Sequence, residues 1–413
     1  MHSSPSSASP TLRRPHILLC SAWQVVNIGD IAHTPAALAL LERHFPEAKV
    51  TLWPFKALGS AATELMTRRF PQLEIVADEF SPDGIAENPA LQSAIDGADF
   101  FLHSSGPAML GWERAEAFQA RTGRPFGVYG VTYGLYGIPE RATLSRANFV
   151  YFRDSVSLAA AQKDGVNAPI MEWSPDVAFA FDLADDARAE AFLSENGLET
   201  GQFLCCISRL RNTPFWKMSA HDAPLDAAKH ARNEAMKSRD HAPLIEAIIA
   251  VTRQTSLKIL LCSEDDTQME IEKENLLDLL PADVRERVVW RDKFWLPDEA
   301  RAVYRRSAGV FGLEMHSPIM CIGSGVPAIV CRWAEQSSKG LMWRDIGLAD
   351  WLFDFDDATK TVKLAPAVLS LAQNPKTAKI KAENARALVF ERFAQTMSVV
   401  RREVLAAREA QLP

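Results

Sequence analysis

The sequence predicts an α/β protein of two consecutive Rossmann-like domains, each a parallel sheet wound by helices. Three observations lead there. The chain has 413 residues, more than one ordinary α/β core holds. Short apolar runs alternate with amphipathic stretches along most of its length, as in βαβ units. The alternation pauses in the acidic segment 184–200 and then begins again.

In the first set, the apolar run 16–22 reads as a buried strand. Thr34 and Pro35 then give an N-cap and first-turn signal for a helix over 36–44. Further strands are expected at 49–53, 100–103, 125–129 and 149–152, with a helix over 91–95. Ser174, Pro175 and Asp176 open another strand-like segment, with Asp176 read as structural. The second set gives strands at 203–208, 257–262, 288–290, 309–313 and 328–331, with helices over 218–252 and 297–306. A long charged helix over 377–409 closes the chain. The expected organisation is a disordered leader over 1–14, a first domain over 15–185 and a second over 186–375. The helix of 376–413 is expected to cross back and pack on the first domain.

Composition narrows the function classes. The chain is 47% hydrophobic and 23% charged, as expected of a soluble globular protein. Its net charge of −7 argues against a nucleic-acid partner but allows a local basic pocket for an anionic sugar or donor. No apolar run reaches the roughly 18 residues that span a bilayer. The Ser- and Pro-rich start reads as a leader, not a secretory signal. Cys20, Cys205, Cys206, Cys262, Cys321 and Cys331 form no CxxC pair. They read as buried free thiols, which points to a reducing compartment, the cytoplasm. The visible residues imply no metal and no bound cofactor.

In parallel sheets ligands gather at the carboxyl ends of strands, so residues just past each strand are the site candidates. After the first strand come Asn27, Gly29 and Asp30. Gly29 permits close ligand approach, backbone amides favour an anion, and Asp30 suits a hydroxyl contact or a base. A stabilised turn explains the same residues. His103 and Ser105 follow the next strand end as a substrate contact or a structural turn. Arg153 could grip a carboxylate or phosphate, or brace Asp154. Arg209 and Arg211, two apart past a strand, would share one side if extended and could clamp one anion; a solvated loop is the alternative. Trp216 nearby could stack on a sugar ring, or simply pack.

The sharpest group is Glu314, His316 and Ser317, ahead of Pro318 and a short helix. Ser317 and Pro318 read as its N-cap and first residue. A histidine at that place suits general acid/base work, and Glu314 is near enough in sequence to share the site. A His and Glu that only brace the loop remain an alternative.

Together these elements resemble the polysaccharide pyruvyl transferase family. Asn27, Gly29 and Asp30 match its Asn-x-Gly-Asp element, and Arg153, Asp154 and Ser157 resemble its Arg-Asp-x-x-Ser element. Met315 and His316, then Gly325, Val326 and Pro327, resemble its second-domain element, and the similarity extends through Lys339, Gly340 and Leu341. The resemblance implies a fold like the two-domain GT-B glycosyltransferases. It implies transfer of the pyruvyl group of phosphoenolpyruvate, a co-substrate, to a sugar hydroxyl pair as a ketal. His316 would be the acid, with Arg209 and Arg211 as anion clamps. The partner would be a sugar, glycan or lipid-linked saccharide; a homo-oligomer is left open.

Two positions depart from the family pattern. The glycine-rich element reads Ser104, Ser105, Gly106, Pro107, and the family's Arg two residues before the His is Glu314. An anion there would repel an anionic donor by several kcal/mol at about 4 Å. Two other functions therefore compete: a glycan-cleaving or glycosyl-transferring enzyme using Glu314 with His316 or Asp30, and a non-catalytic saccharide-binding protein.

Overall fold

The computed structural model describes residues 13–21, 24–134, 138–219 and 222–411. They form two parallel sheets. The first holds β1 (His16–Ser21), β2 (Lys49–Pro54), β3 (Glu74–Ile75), β4 (Phe100–His103), β5 (Phe126–Val131), β6 (Val150–Phe152) and β7 (Met171–Trp173). Its order is β3-β2-β1-β4-β5-β6-β7. The second holds β8 (Phe203–Ile207), β9 (Lys258–Leu261), β10 (Val288–Trp290), β11 (Gly309–Gly312), β12 (Ala328–Arg332) and β13 (Leu352–Asp354). Its order is β10-β9-β8-β11-β12-β13. Each order reverses beside its first strand, which opens a crevice at the carboxyl ends.

The apolar runs become strands because helices cover both faces of each sheet. β1, β5 and β8 are buried at every position. β3, β7 and β13 have no counterpart among the expected strands. Each is an edge strand of two or three residues, too short to carry a periodic signal.

Three local readings change. The first helix runs Ile28–His44, capped by Asn27, whose Oδ1 accepts from the Gly29 and Asp30 amides. Thr34 and Pro35 therefore lie inside the helix. Pro35 leaves the Ile31 carbonyl without its helical donor, but burial from Ile28 to Leu41 holds the helix across that gap. The second-domain helix runs His316–Gly323, so Ser317 and Pro318 are in its first turn and His316 begins it. After β7 the chain does not continue as a strand. Asp176 caps a short 3-10 turn, Val177–Ala180.

The helix Asp186–Glu195 packs on Pro297–Tyr304 of the second domain. The C-terminal helix, Pro375–Glu409, crosses back to the first helix and β4. There Thr396 meets the Tyr129 hydroxyl at 2.6 Å, and Arg392 holds the Trp173 carbonyl. Of the residues read as a leader, 1–12 lie outside the described residues, as does Ala22 of the first expected strand. Arg13 and Arg14 are fastened, Arg13 to Asp99 and the Gly97 carbonyl, Arg14 to the carbonyls of Pro46, Glu47 and Ala48. All six cysteines are buried and free. Among the described residues no helix is long and apolar enough to cross a membrane.

Candidate active site at the domain junction

The amino ends of two helices meet across the junction, Ile28–His44 from the first domain and His316–Gly323 from the second. Backbone contacts fix the approach. The Ile28 amide donates to the Glu264 carbonyl at 2.9 Å, and Asn27 and Asp265 form an isolated bridge. Gly29 makes the closest contact. A Cβ there would lie 1.9 Å from His316 Cγ, so only glycine leaves room for the imidazole.

His316 is 7% exposed. Its Nδ1 faces Glu264 Oε2 at 3.4 Å and its Nε2 meets Lys339 Nζ at 2.5 Å. Burial, then Lys339 and His33, hold the imidazole well below its ordinary range, against Asp30 and Asp176. The ring is therefore neutral, and Nε2 accepts from the ammonium. Burial, then Arg153, push the Lys339 amine down to about 8, against the pull of Asp176, Glu264 and Glu314. An ammonium held this weakly can donate a proton near neutral pH.

Lys339 reaches the junction from an unusual turn after β12. Ser337 has φ 64° and ψ −165°, a region essentially reserved for glycine that costs other residues about 1–3 kcal/mol. It is the one non-glycine residue with positive φ among the described residues.

A second group backs His316. The rings of His33 and His316 meet edge-on, 5.1 Å between centroids. His33 is fully buried, with Nε2 3.2 Å from Asp176 and Nδ1 3.8 Å from Asp30. Arg153 Nη1 donates to Asp176 at 3.0 Å and its Nε to Thr132 at 2.5 Å. Burial would raise the Asp176 carboxyl, but His33, Arg153 and Lys339 outweigh it and hold it well below its ordinary range.

Glu314, 4% exposed, turns to Arg209 Nη1 at 3.2 Å. Gln268 Nε2 donates to Glu314 at 2.6 Å and to Asp265 at 2.9 Å, linking the two carboxyls. Burial pushes both up to about 7; Arg209 opposes it at Glu314, while Glu314 adds to it at Asp265. Burial also raises Glu264, against Lys339. Glu264 accepts the Ser317 amide and so caps the His316 helix, and Ser317 Oγ meets the Tyr304 hydroxyl at 3.0 Å.

Of the residues expected at the site, Asn27, Gly29, Asp30, Glu314, His316 and Ser317 gather at this junction. Arg209 joins them through Glu314. Arg153 is there too, but spent on Asp176. Arg211 is not an anion clamp beside Arg209. It is 2% exposed and consumed by Asp240, Glu335 and Asp356. His103 is fully buried and bonds the Leu110 carbonyl at 2.8 Å; burial pushes its imidazole down to about 4. Ser105 donates to the Gly130 carbonyl at 2.7 Å, and Trp216 lies edge-on to His230. Sequence reasoning missed Lys339, His33, Asp176, Glu264 and Gln268 as site residues.

Asp30, His33 and His316 offer donor atoms within 4.8 Å of one another, a set that could hold a cation. The Lys339 ammonium already takes the Nε2 side of His316, which weighs against a dication there.

Two wound parallel sheets, a site at their junction and a helix crossing back make a two-domain fold of the GT-B type. The chain belongs to the polysaccharide pyruvyl transferase family, whose model matches residues 27–335. Solved structures of similar fold include Anabaena HepE in complex with UDP-glucose, at 12% identity, TM-score 0.56, covering 96% of this chain and 99% of that one. The UDP-GlcNAc 2-epimerase of Neisseria meningitidis bound to UDP-GlcNAc is similar at 11% identity and TM-score 0.55, with 95% and 100% covered. That of Methanocaldococcus jannaschii gives 12% identity and TM-score 0.54, with 91% and 99% covered. At such identities the likeness is one of fold. No curated protein sequence matches the chain.

Proposed function

We propose that the protein transfers the pyruvyl group of phosphoenolpyruvate to two hydroxyls of a saccharide, with Lys339 and His316 handling the protons. The observation that carries this reading is the contact of a neutral imidazole with a weakly held ammonium, 2.5 Å apart at the domain junction. Lys339 gives its proton to the donor's methylene carbon, which becomes a methyl group. A hydroxyl adds to the adjacent carbon, and its proton returns to the Lys339–His316 pair. The second hydroxyl then displaces phosphate, which leaves with the second proton. The ketal and hydrogen phosphate account for all atoms, and the pair ends as it began.

The Glu314 departure is eased on the same evidence. Its carboxyl is turned to Arg209 and Gln268, and a group raised to about 7 carries only part of a charge at neutral pH. The Glu314 carboxyl is taken by Arg209 and Gln268, which disfavours its pairing with His316 or Asp30 for glycan cleavage. Two neighbours of this fold hold UDP-sugars, in keeping with a saccharide acceptor.

The test is ketal formation from phosphoenolpyruvate and a panel of saccharide diols, followed by the new methyl signal in proton NMR and by phosphate release. The expected rate falls on the alkaline side near pH 8 as Lys339 deprotonates. Lys339→Arg should move that limb upward and slow the reaction, and His316→Ala should abolish it with the fold intact. No phosphoenolpyruvate binding and no turnover across the panel would sink the reading.

A further inference from the structure

We propose that Ser338 is the positioning residue for Lys339: its hydroxyl, held by Asp154 and Ser157 of the first domain, sets the ammonium against His316 only while the two domains are together. The inference rests on the role given to Lys339 above.

Lys339 and His316 both belong to the second domain but lie on separate segments, and the turn that carries Lys339 is one its own backbone resists. Ser337 would leave its glycine-like conformation if nothing held it. Arg332 holds its carbonyl at 3.0 Å from within the second domain. Within the same domain the Ala334 carbonyl takes the Ser337 amide at 3.2 Å and the Ser338 carbonyl takes the Leu341 amide at 2.8 Å; a further restraint comes across the junction. The Ser338 hydroxyl lies 3.1 Å from Asp154 Oδ2 and 3.0 Å from Ser157 Oγ.

That acceptor is rigid. Asp154 is fully buried and caps the helix Ser155–Lys163, taking the Ser157 amide at 2.7 Å and its hydroxyl at 2.9 Å. A few residues on, Asp345 accepts the Ser155 amide at 2.9 Å and its hydroxyl at 2.6 Å. The segment carrying Lys339 is thus pinned at two points to the amino end of one first-domain helix. Separating the domains breaks both attachments at once.

Separation also changes what surrounds the amine. The charged and titratable groups facing Lys339 are Arg153 and Asp176 from the first domain, and Glu264, Glu314 and His316 from the second. Domain closure therefore assembles the proton donor, a gating step of the kind that commits a bound substrate.

Competitive acetylation of the whole chain tests this without turnover. Trace acetic anhydride is applied from about pH 6 to 11, and the labelling of the Lys339 peptide is read by mass spectrometry. Wild type should titrate near 8. Ser338→Ala should shift the midpoint by about one unit or more toward the ordinary lysine value near 10.4. Ser338→Thr, which keeps a hydroxyl, should return it. Ser157→Ala removes one of the two partners and should give a smaller shift in the same direction. In parallel, kcat for ketal formation should fall about tenfold in Ser338→Ala at unchanged KM, a factor of 1.4 kcal/mol. A Lys339 profile that does not move in folded Ser338→Ala overturns the proposal, even if kcat falls. Absence of ketal formation in every protein speaks against the proposed reaction, and the labelling still decides the role of Ser338.

Discussion

Gly29 and His316 share one space: a Cβ on the glycine would lie 1.9 Å from the imidazole Cγ. The contact joins the first turns of two helices from different domains, so the position of the imidazole depends on an atom that Gly29 lacks. In a helix alanine is normally preferred over glycine by about 1 kcal/mol. Gly29→Ala should do the opposite here. The expected result is a loss of about 1–3 kcal/mol, from overpacking, with ketal formation down roughly 100-fold as the ring is pushed aside. Thermal unfolding and kcat check both. A variant more stable than wild type would contradict the contact.

Glu314 makes stability depend on pH in a defined direction. Its carboxyl is raised to about 7 in the folded chain, against about 4.3 in an unfolded one. The folded state therefore holds a proton that the unfolded state has lost between those values. The stabilisation is complete below about pH 4 and is gone once pH has risen through about 7. Glutamine mimics the protonated side chain and does not titrate. Glu314→Gln should gain on wild type between pH 5 and pH 8 by on the order of 2 kcal/mol. Urea unfolding at the two pH values measures it, and an equal difference at both would rule it out.

Arg211 separates structure from binding. Its guanidinium is buried and bonds both oxygens of Asp240, at 2.7 and 2.9 Å, as well as Glu335 and Asp356. Arg211→Ala strands the buried Asp240 carboxylate and should cost about 3–5 kcal/mol. KM for phosphoenolpyruvate should stay within about twofold in the protein that remains folded. A large rise in KM with unchanged stability would return Arg211 to the donor site.

The strands could be read from composition because a strand buried on both faces is an unbroken apolar run. The strand-end rule points to Glu314 and His316, two and four residues past β11, and to Asn27, Gly29 and Asp30 in the longer segment after β1. It applies equally to Glu264 and Asp265, just past β9. Asp176 follows β7 by three residues, but that short edge strand carries no periodic signal, and the rule does not point to Lys339 or His33. Lys339 arrives from a strained turn, Asp176 from a 3-10 cap and His33 from inside a helix, and only the packing of two domains brings them to one imidazole. The first helix begins before Thr34 and Pro35 because Asn27, which suits a ligand contact or a turn, is also its cap.

The C-terminal helix bears on how the chain is made. It buries Val389, Phe393, Met397, Val400 and Val404, and it lies against the first helix and β4. During translation the first sheet emerges from the ribosome long before these residues exist, with Tyr129 still waiting for Thr396. The oldest part of the molecule is therefore completed by the youngest. A nascent chain stalled before residue 375 presents an uncovered apolar face to chaperones and to its own copies.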